Sequence, residues 1–245
     1  MEASVPDYTA LTFPDAPADR PYVIVNMVSS VDGRITVEGT ERSLGSPRDQ
    51  RLMRELRVHA DVTLNGASTL RASGTSSRLG DAALEDLRVA RGMSRTPIAA
   101  ILSRSGDLPL DKLFFTARDF EAVVYLSDDA SDDRARAIEA TGRRLVRLPT
   151  GEEIRAMLTH MHDDLGARLL LVEGGPTING QLFDLGCVDE FFLTLGGVIV
   201  NGNVLKPPVE SDQAPSIAAL THLELVSAMP NGETDEVYLR YRVRR

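Results

Sequence analysis

The sequence predicts an α/β fold: a mixed, mostly parallel sheet covered by helices on both faces, with antiparallel strands at its C-terminal end. Three observations carry this expectation. Apolar runs of strand length alternate with helix-like patterns up to about residue 185, the signature of a parallel sheet with crossover helices. After that point three strand-like runs follow with no helix between them, and the pair Asn231-Gly232 signals a hairpin between the last two. The run Leu169-Leu170-Leu171-Val172 is unbroken by polar residues, as suits a strand buried on both faces.

Taken in order, residues 1–20 are polar and proline-rich and read as an irregular arm, leaving 21–245 as a single domain. Pro21 to Ser30 reads as a strand. Pro47 to His59 reads as a helix, with Ser46 as N-cap, Pro47 in the first turn and Leu52, Met53 and Leu56 on one face. Asp61 to Asn65 is a short strand, and Asp81 to Arg91 a helix carrying Leu84 and Leu87. Pro97 to Leu102 and Ala122 to Leu126 are strand-like, Ser131 to Thr141 is helical, and Arg144 to Leu148 is a strand. Glu152 to Leu165 has the clearest helical spacing, through Ile154, Met157, Leu158 and Met161. A strand over Ala167 to Glu173 and a helix near Thr177 to Leu185 follow. Phe191 to Leu195, Leu223 to Ala228 and Val237 to Val243 complete the sheet.

Composition narrows the function. The 245 residues are 42% hydrophobic, enough for a sizeable core, and the net charge of −9 argues against a partner that is itself a polyanion, such as nucleic acid or an anionic membrane. A lone cysteine, Cys187, provides no disulfide framework and no multi-cysteine zinc site. No metal site is expected at His160-Met161-His162, which lies in an acidic helical stretch without partner ligands. No apolar run reaches membrane-spanning length and no signal-peptide pattern opens the chain, so a cytoplasmic location is expected.

Four strand ends bear residues suited to a phosphorylated ligand. At Glu173-Gly174-Gly175-Pro176-Thr177 two glycines let the backbone turn and a ligand approach closely, and the following helix offers N–H groups to an anion. Paired glycines also end strands for packing reasons alone. Ser30-Val31-Asp32-Gly33 places a carboxylate at a strand end, though Asp-Gly is equally a common turn pair. Asn65-Gly66-Ala67-Ser68-Thr69 brings hydroxyls and N–H groups, or forms an ordinary strand-to-helix cap. Ser103-Arg104 suits a phosphomonoester such as the ribose 2′-phosphate of NADP, the alternative being a solvated arginine. No Gly-x-Gly-x-x-Gly follows a strand.

In their joint order, Ser30-x-Asp32-Gly33, Leu56-Arg57, Gly66 to Thr69, Leu102-Ser103-Arg104, Glu173-Gly174-Gly175 and Asp189-Glu190 resemble the reductase domain of the bifunctional riboflavin-biosynthesis deaminase–reductases, and more closely the related stand-alone pyrimidine reductases. The resemblance runs from about Pro21 to Arg242 and implies a three-layer, dihydrofolate-reductase-like fold. It also implies NADPH-dependent reduction of a phosphoribosylamino-pyrimidine of the 5-amino-6-(5-phosphoribosylamino)uracil type at its ring-opened sugar imine, and a homodimer. By that resemblance Gly174, Gly175 and Thr177 meet the pyrophosphate, Gly66, Ser68 and Thr69 lie along the dinucleotide, and Ser103 and Arg104 meet the 2′-phosphate. Asn26, Ser30 and Asp32 lie where substrate and nicotinamide face each other, Asn26 and Ser30 as substrate-binding residues and Asp32 with Glu173 as the catalytic candidates, Glu173 for orienting or proton handling unless it only caps the next helix.

The substrate side departs from the family pattern. Asn26 stands where a lysine is common, and Arg71-Ala72-Ser73-Gly74-Thr75 lacks the family's Asp-x-Pro element. The arginine for the substrate phosphate is left among Arg48, Arg51 and Arg78, each equally readable as a surface charge. The deaminase zinc motif is absent. Reduction of dihydrofolate or another pteridine or pyrimidine, or nucleotide binding without turnover, therefore stand as alternatives. The apolar set Phe191, Phe192, Leu193, Leu195, Val198, Ile199 and Val200 is the expected dimer surface, unless helices cover it.

Overall fold

The computed structural model describes residues 5–41, 43–203, 206–214 and 216–245. In chain order its elements are β1 (Tyr22–Ser30), α1 (Pro47–Arg57), β2 (Val62–Gly66), α2 (Ala67–Ser73), α3 (Ala82–Ala90), β3 (Ile98–Ser103), α4 (Leu113–Thr116) and β4 (Ala122–Ser127). There follow α5 (Asp132–Glu139), β5 (Arg144–Leu148), α6 (Glu153–Asp163), β6 (Leu169–Val172), α7 (Pro176–Asp184), β7 (Glu190–Gly196), β8 (Leu223–Asn231) and β9 (Glu236–Val243). The chain forms two compact units. One comprises Met1–Thr12, Val23–Glu55 and Val172–Arg245, the other Phe13–Tyr22 and Leu56–Leu171.

In the first unit β1 pairs parallel with β7, which pairs antiparallel with β9, and β9 with β8. Asp189 sets the β1–β7 register: its carboxylate accepts from Val23 N–H at 2.7 Å while its own N–H donates to the Val23 carbonyl at 2.9 Å. The expected β8–β9 hairpin forms, with Asn231 paired to Glu236. Its turn spans four residues rather than the two that Asn-Gly suggests, and Asp235 takes the left-handed φ of +54°. Phe191 and Phe192 are buried in this unit, so the covered alternative holds for these two members of the expected dimer surface. Ile199, Leu225 and Val226 stay exposed.

In the second unit the strand order is β5-β4-β3-β2-β6, and β2 through β5 run parallel. Every residue of β4 is buried, which requires cover on both faces. The order reverses at β2: β3 lies on one side of it and β6 on the other, a topological switch point. The Asp61 carboxylate joins β2 to β6 by accepting from the N–H groups of Arg168 and Leu169 at 2.8 and 2.9 Å.

Side-chain caps explain some helix starts. The Asp81 carboxylate accepts from the Ala83 and Leu84 N–H groups, and the Ser131 hydroxyl from that of Arg134. The sequence reading misses α4 and leaves α2 as one of two options. Neither has a side-chain cap, and α2 ends at Gly74 with φ +79°. No helix among the described residues is long and apolar enough to cross a membrane.

Two buried arginines serve backbone carbonyls instead of carboxylates. Arg88, 1% exposed, donates to the carbonyls of Arg57 at 2.6 Å, Ala60 at 2.7 Å and Ser94 at 2.8 Å, at the end of α1 and beyond. Arg143 donates to those of Phe114 and Phe120 and stacks 5.0 Å from the Phe120 ring. Burial lowers the Arg88 pKa to about 10, and it stays cationic at neutral pH. Replacing it by methionine strands three carbonyls, each worth roughly 1–3 kcal/mol if left dry. Arg88→Met is therefore expected to cost about 3 kcal/mol in urea unfolding, and a loss below about 1 kcal/mol would show that water takes over those acceptors.

Candidate active site

In the first unit the site grows from one sheet face. Parallel register pairs Asn26 with Phe192, Val28 with Thr194 and Ser30 with Gly196, while Phe192 and Thr194 lie opposite Arg240 and Tyr238. Side chains at one level of adjacent strands share a face, so Asn26, Thr194 and Tyr238 project together. The segment before α1 lies on the carboxyl end of this face. A Cβ on Gly196 would come 2.0 Å from the Leu44 carbonyl oxygen, so only glycine lets that backbone pass.

Glu236 docks the start of α1. Its carboxylate accepts from the Ser46 N–H at 2.6 Å and the Ser46 hydroxyl at 2.7 Å, and also from the Thr234 and Tyr238 hydroxyls. Burial alone would raise its pKa, but these four donors outweigh burial and the net shift is downward. Ser46 in turn caps α1, its hydroxyl accepting from the Arg48 N–H at 3.1 Å.

Asp49 sits three residues after the N-cap, where an acidic side chain ordinarily reaches back to the cap N–H. Glu236 already occupies that donor, and Asp49 instead hydrogen-bonds the Thr194 hydroxyl. Burial, reinforced by the nearby Glu236 charge, pushes its pKa up to about 6 despite the Thr194 bond. Sequence reading passes over Asp49 because an acid in a first turn is ordinary dipole complementation.

Asp32 lies at the carboxyl end of β1 in the Asp-Gly turn, with Gly33 at φ +78°. One of its oxygens accepts from the Ser30 hydroxyl at 2.7 Å and Val200 N–H at 3.0 Å, the other from Asn201 N–H at 2.9 Å and Arg34 at 3.1 Å. The Ser30 and Val200 bonds lead in lowering its pKa to about 2. Asp32 is thus a permanently ionised brace on the 200–202 loop and no proton donor at neutral pH.

The remaining expected residues are dispersed between roles. Arg48 donates to the Pro6 carbonyl and Arg51 pairs with Glu55 at 3.0 Å, on α1 beside Asp49. Arg78, in the second unit, forms a two-pronged pair with Asp119 at 2.7 and 2.8 Å. Glu173 is half-buried and precedes a cis Gly174-Gly175 bond. The N-cap of α7 is Gly175. Thr177 is exposed, with its hydroxyl 3.4 Å from Glu210.

In the second unit an open groove of about 720 Å³ lies at the carboxyl end of β3, lined among others by Ser103, Arg104, Arg71, Ser131 and Arg134. Ser103 is buried and accepts from Gly106 N–H at 3.1 Å. The Arg104 side chain is 71% exposed and meets Asp129 and Glu153 only at 3.8 and 3.9 Å, leaving its donors open to solvent. Asp107 and Asp129 also line the groove, Arg134 pairs with Asp107 at 3.2 Å and Arg71 donates to the Asp107 carbonyl at 2.7 Å, so within this set Arg104 is the guanidinium whose donors stay open for a phosphomonoester. Gly66 is buried at the end of β2, and Ser68 and Thr69 lie in the first turn of α2. Arg71 and Arg134 carry no site signal in the sequence, because nothing local joins α2 to α5. Among the described residues no three His, Cys, Asp or Glu side chains are grouped to hold a metal.

A family model of the RibD C-terminal domain matches residues 21–234. The chain belongs to the RibD C-terminal domain family. A curated relative, the 2,5-diamino-6-ribosylamino-4(3H)-pyrimidinone 5′-phosphate reductase of Archaeoglobus fulgidus, is 28% identical over 75% of this chain and 83% of its own length. A solved pyrimidine reductase-like protein from Corynebacterium diphtheriae superposes with a TM-score of 0.83 at 22% identity, covering 100% of this chain and 97% of the other. Dihydrofolate reductase from Enterococcus faecalis superposes at 0.50 and 14% identity, over 91% of this chain and 97% of that one. The RibD C-terminal domain thus has the expected dihydrofolate-reductase-like fold.

The Asp49 shift has a definite sign. A carboxyl that binds its proton more tightly when folded stabilises the fold below its unfolded pKa near 4, and that contribution is lost as pH rises through about 6. Between about pH 4 and 6 the native protein is expected to lose on the order of 1–2 kcal/mol relative to Asp49→Asn. Urea titrations of both proteins across that window measure the difference, and a flat difference would contradict the burial of this carboxylate.

Proposed function

We propose that the chain is an NADPH-dependent reductase of a phosphoribosylamino-pyrimidine in riboflavin synthesis. The observation that carries the reading is the groove of the second unit, where exposed Arg104 keeps its donors open beside Ser103, with Arg71 and Arg134 on the same lining, in a chain of net charge −9. It favours the adenosine 2′-phosphate of NADPH over the bare ribose hydroxyl of NADH. The groove adjoins β3, next in order to the switch-point strand β2, where α/β sheets of this kind bind dinucleotides. Gly66, Ser68 and Thr69 would lie along that cofactor, and the backbone at Gly174, Gly175 and Thr177 would hold a phosphate. When bound, the nicotinamide supplies the hydride.

In the first unit Asn26 and Ser30 are assigned to substrate orientation, and Asp32 to holding the 200–202 loop in place. Glu173 remains the group to hold or move a proton, since Asp32 is fully engaged. Arg48 and Arg51, half-buried in the first turns of α1, are the candidates for the substrate phosphate. The Arg78–Asp119 pair leaves Arg78 the weaker one. The archaeal relative's name supports a phosphorylated ribosylamino-pyrimidine as the substrate class. Exposed Ile199, Leu225 and Val226 support a homodimer, and a cytoplasmic location fits a biosynthetic reductase.

Nicotinamide oxidation by the purified chain tests the reading, with the 2-amino and the uracil form of the phosphoribosylamino-pyrimidine and dihydrofolate supplied separately. Turnover of a pyrimidine with NADPH is expected, and Arg104→Ala should reduce the preference for NADPH over NADH about tenfold or more by removing a charge-assisted contact. Turnover of dihydrofolate alone, or an unchanged cofactor preference, would overturn the corresponding half of the proposal.

A further inference from the structure

Resting on the pyrimidine-reductase reading, we propose that Asp49 selects a 2-aminopyrimidin-4-one over the corresponding uracil, its carboxylate accepting the ring N3–H and the 2-amino group together. Asp49 is relieved of the task its position ordinarily carries, because Glu236 takes the Ser46 N–H. Among the described residues no lysine or arginine forms an ion pair with it, and Thr194 is its side-chain hydrogen-bond partner. A carboxylate accepts about four hydrogen bonds, so capacity remains for two parallel donors. Keeping such a group partly buried without a cation lowers stability, and a residue retained at that cost points to a task outside folding.

The surroundings suit a flat, polar ring. Thr194 shares its sheet face with Asn26, two register pairs away, and Asn26 is only half-buried. Asn26 supplies both a donor and an acceptor, as the remaining edge of a pyrimidinone requires. The backbone of Gly45 passes against the carboxylate, where a Cβ would come 2.3 Å from its Oδ2, so the side chain is confined on that side.

The chemistry then separates two substrates that differ at one ring position. A 2-aminopyrimidin-4-one presents N3–H and the 2-amino N–H side by side, matching the two oxygens of a carboxylate as a guanidinium fork does. A uracil presents a carbonyl in place of the amino group, and this sets acceptor against acceptor. A site built to receive a donor rejects the analogue that lacks it, and loss of one charge-assisted bond with repulsion in its place gives a preference of about 100-fold. Asp49 decides which pyrimidine enters and takes no part in hydride transfer.

Calorimetric titration of the full chain with 2,5,6-triaminopyrimidin-4-one and with 5,6-diaminouracil tests it without turnover. The native protein is expected to bind the first about 100-fold more tightly. In Asp49→Asn, whose amide offers one donor and one acceptor, the preference should fall to within a few-fold. Gly45→Ala, which forces the carboxylate aside, should also reduce it while NADPH affinity is unchanged. Equal binding of the two rings by the native protein, or an undiminished preference in Asp49→Asn, would overturn the role of Asp49. Turnover without this preference would leave the reductase reading standing and sink only the inference, whereas the preference without turnover of any pyrimidine would do the reverse.

Discussion

Glu236 holding the N-cap of α1 is the interaction on which the first unit's site depends. It joins residues 190 positions apart in the chain, and a buried carboxylate with four hydrogen-bond donors is both costly to leave unpaired and stable once satisfied. From that contact the rest follows in order. The Leu44–Ser46 backbone is drawn onto β7 at Gly196, α1 begins over the face that carries Asn26 and Thr194, and Asp49 is left free of capping. A carboxylate at one end of the chain thus decides what a carboxylate near the other end can do.

The two units use charge differently. Two buried arginines of the second unit, Arg88 and Arg143, are consumed by carbonyls and hold helix ends. Three of its exposed arginines, Arg71, Arg104 and Arg134, line one groove in an otherwise acidic protein, so a phosphate can be met locally while polyanions are repelled at longer range. In the first unit the carboxylates are the organising groups. Asp32, held at a pKa of about 2 by hydrogen bonds to Ser30 and Val200, fixes a loop. Asp49, held high by burial, keeps acceptor capacity for a ligand.

Much of the architecture is legible in the sequence because it is carried by local signals. Apolar runs mark β1, β4 and β6, the Ser46-Pro47 pair marks α1, and the absence of a helix after β7 marks the antiparallel end. What is hidden depends on long-range contact. α4 has no cap signal and is defined by burial of Phe114 and Phe115. Phe191 and Phe192 look like an interface in sequence, yet they are core. The strand-end residues Asp32, Ser103 and Gly174 stand out by type and position, whereas Asp49 does not. Its significance rests on Glu236 satisfying Ser46, which no local pattern announces. Arg71 and Arg134 are likewise ordinary helix residues until the fold places them beside Arg104.

The first unit's site turns on the coupling between Ser46 and Glu236. A double-mutant cycle with Ser46→Ala and Glu236→Gln, read by urea unfolding and by pyrimidine binding, measures it directly. A coupling energy of about 1.5 kcal/mol or more in stability is the predicted result, with the 2-amino preference reduced in Glu236→Gln, while Ser46→Ala removes only the hydroxyl half of the contact and keeps the N–H bond. Additive effects on stability, with the preference intact in both single variants, would contradict the claim that this contact builds the site.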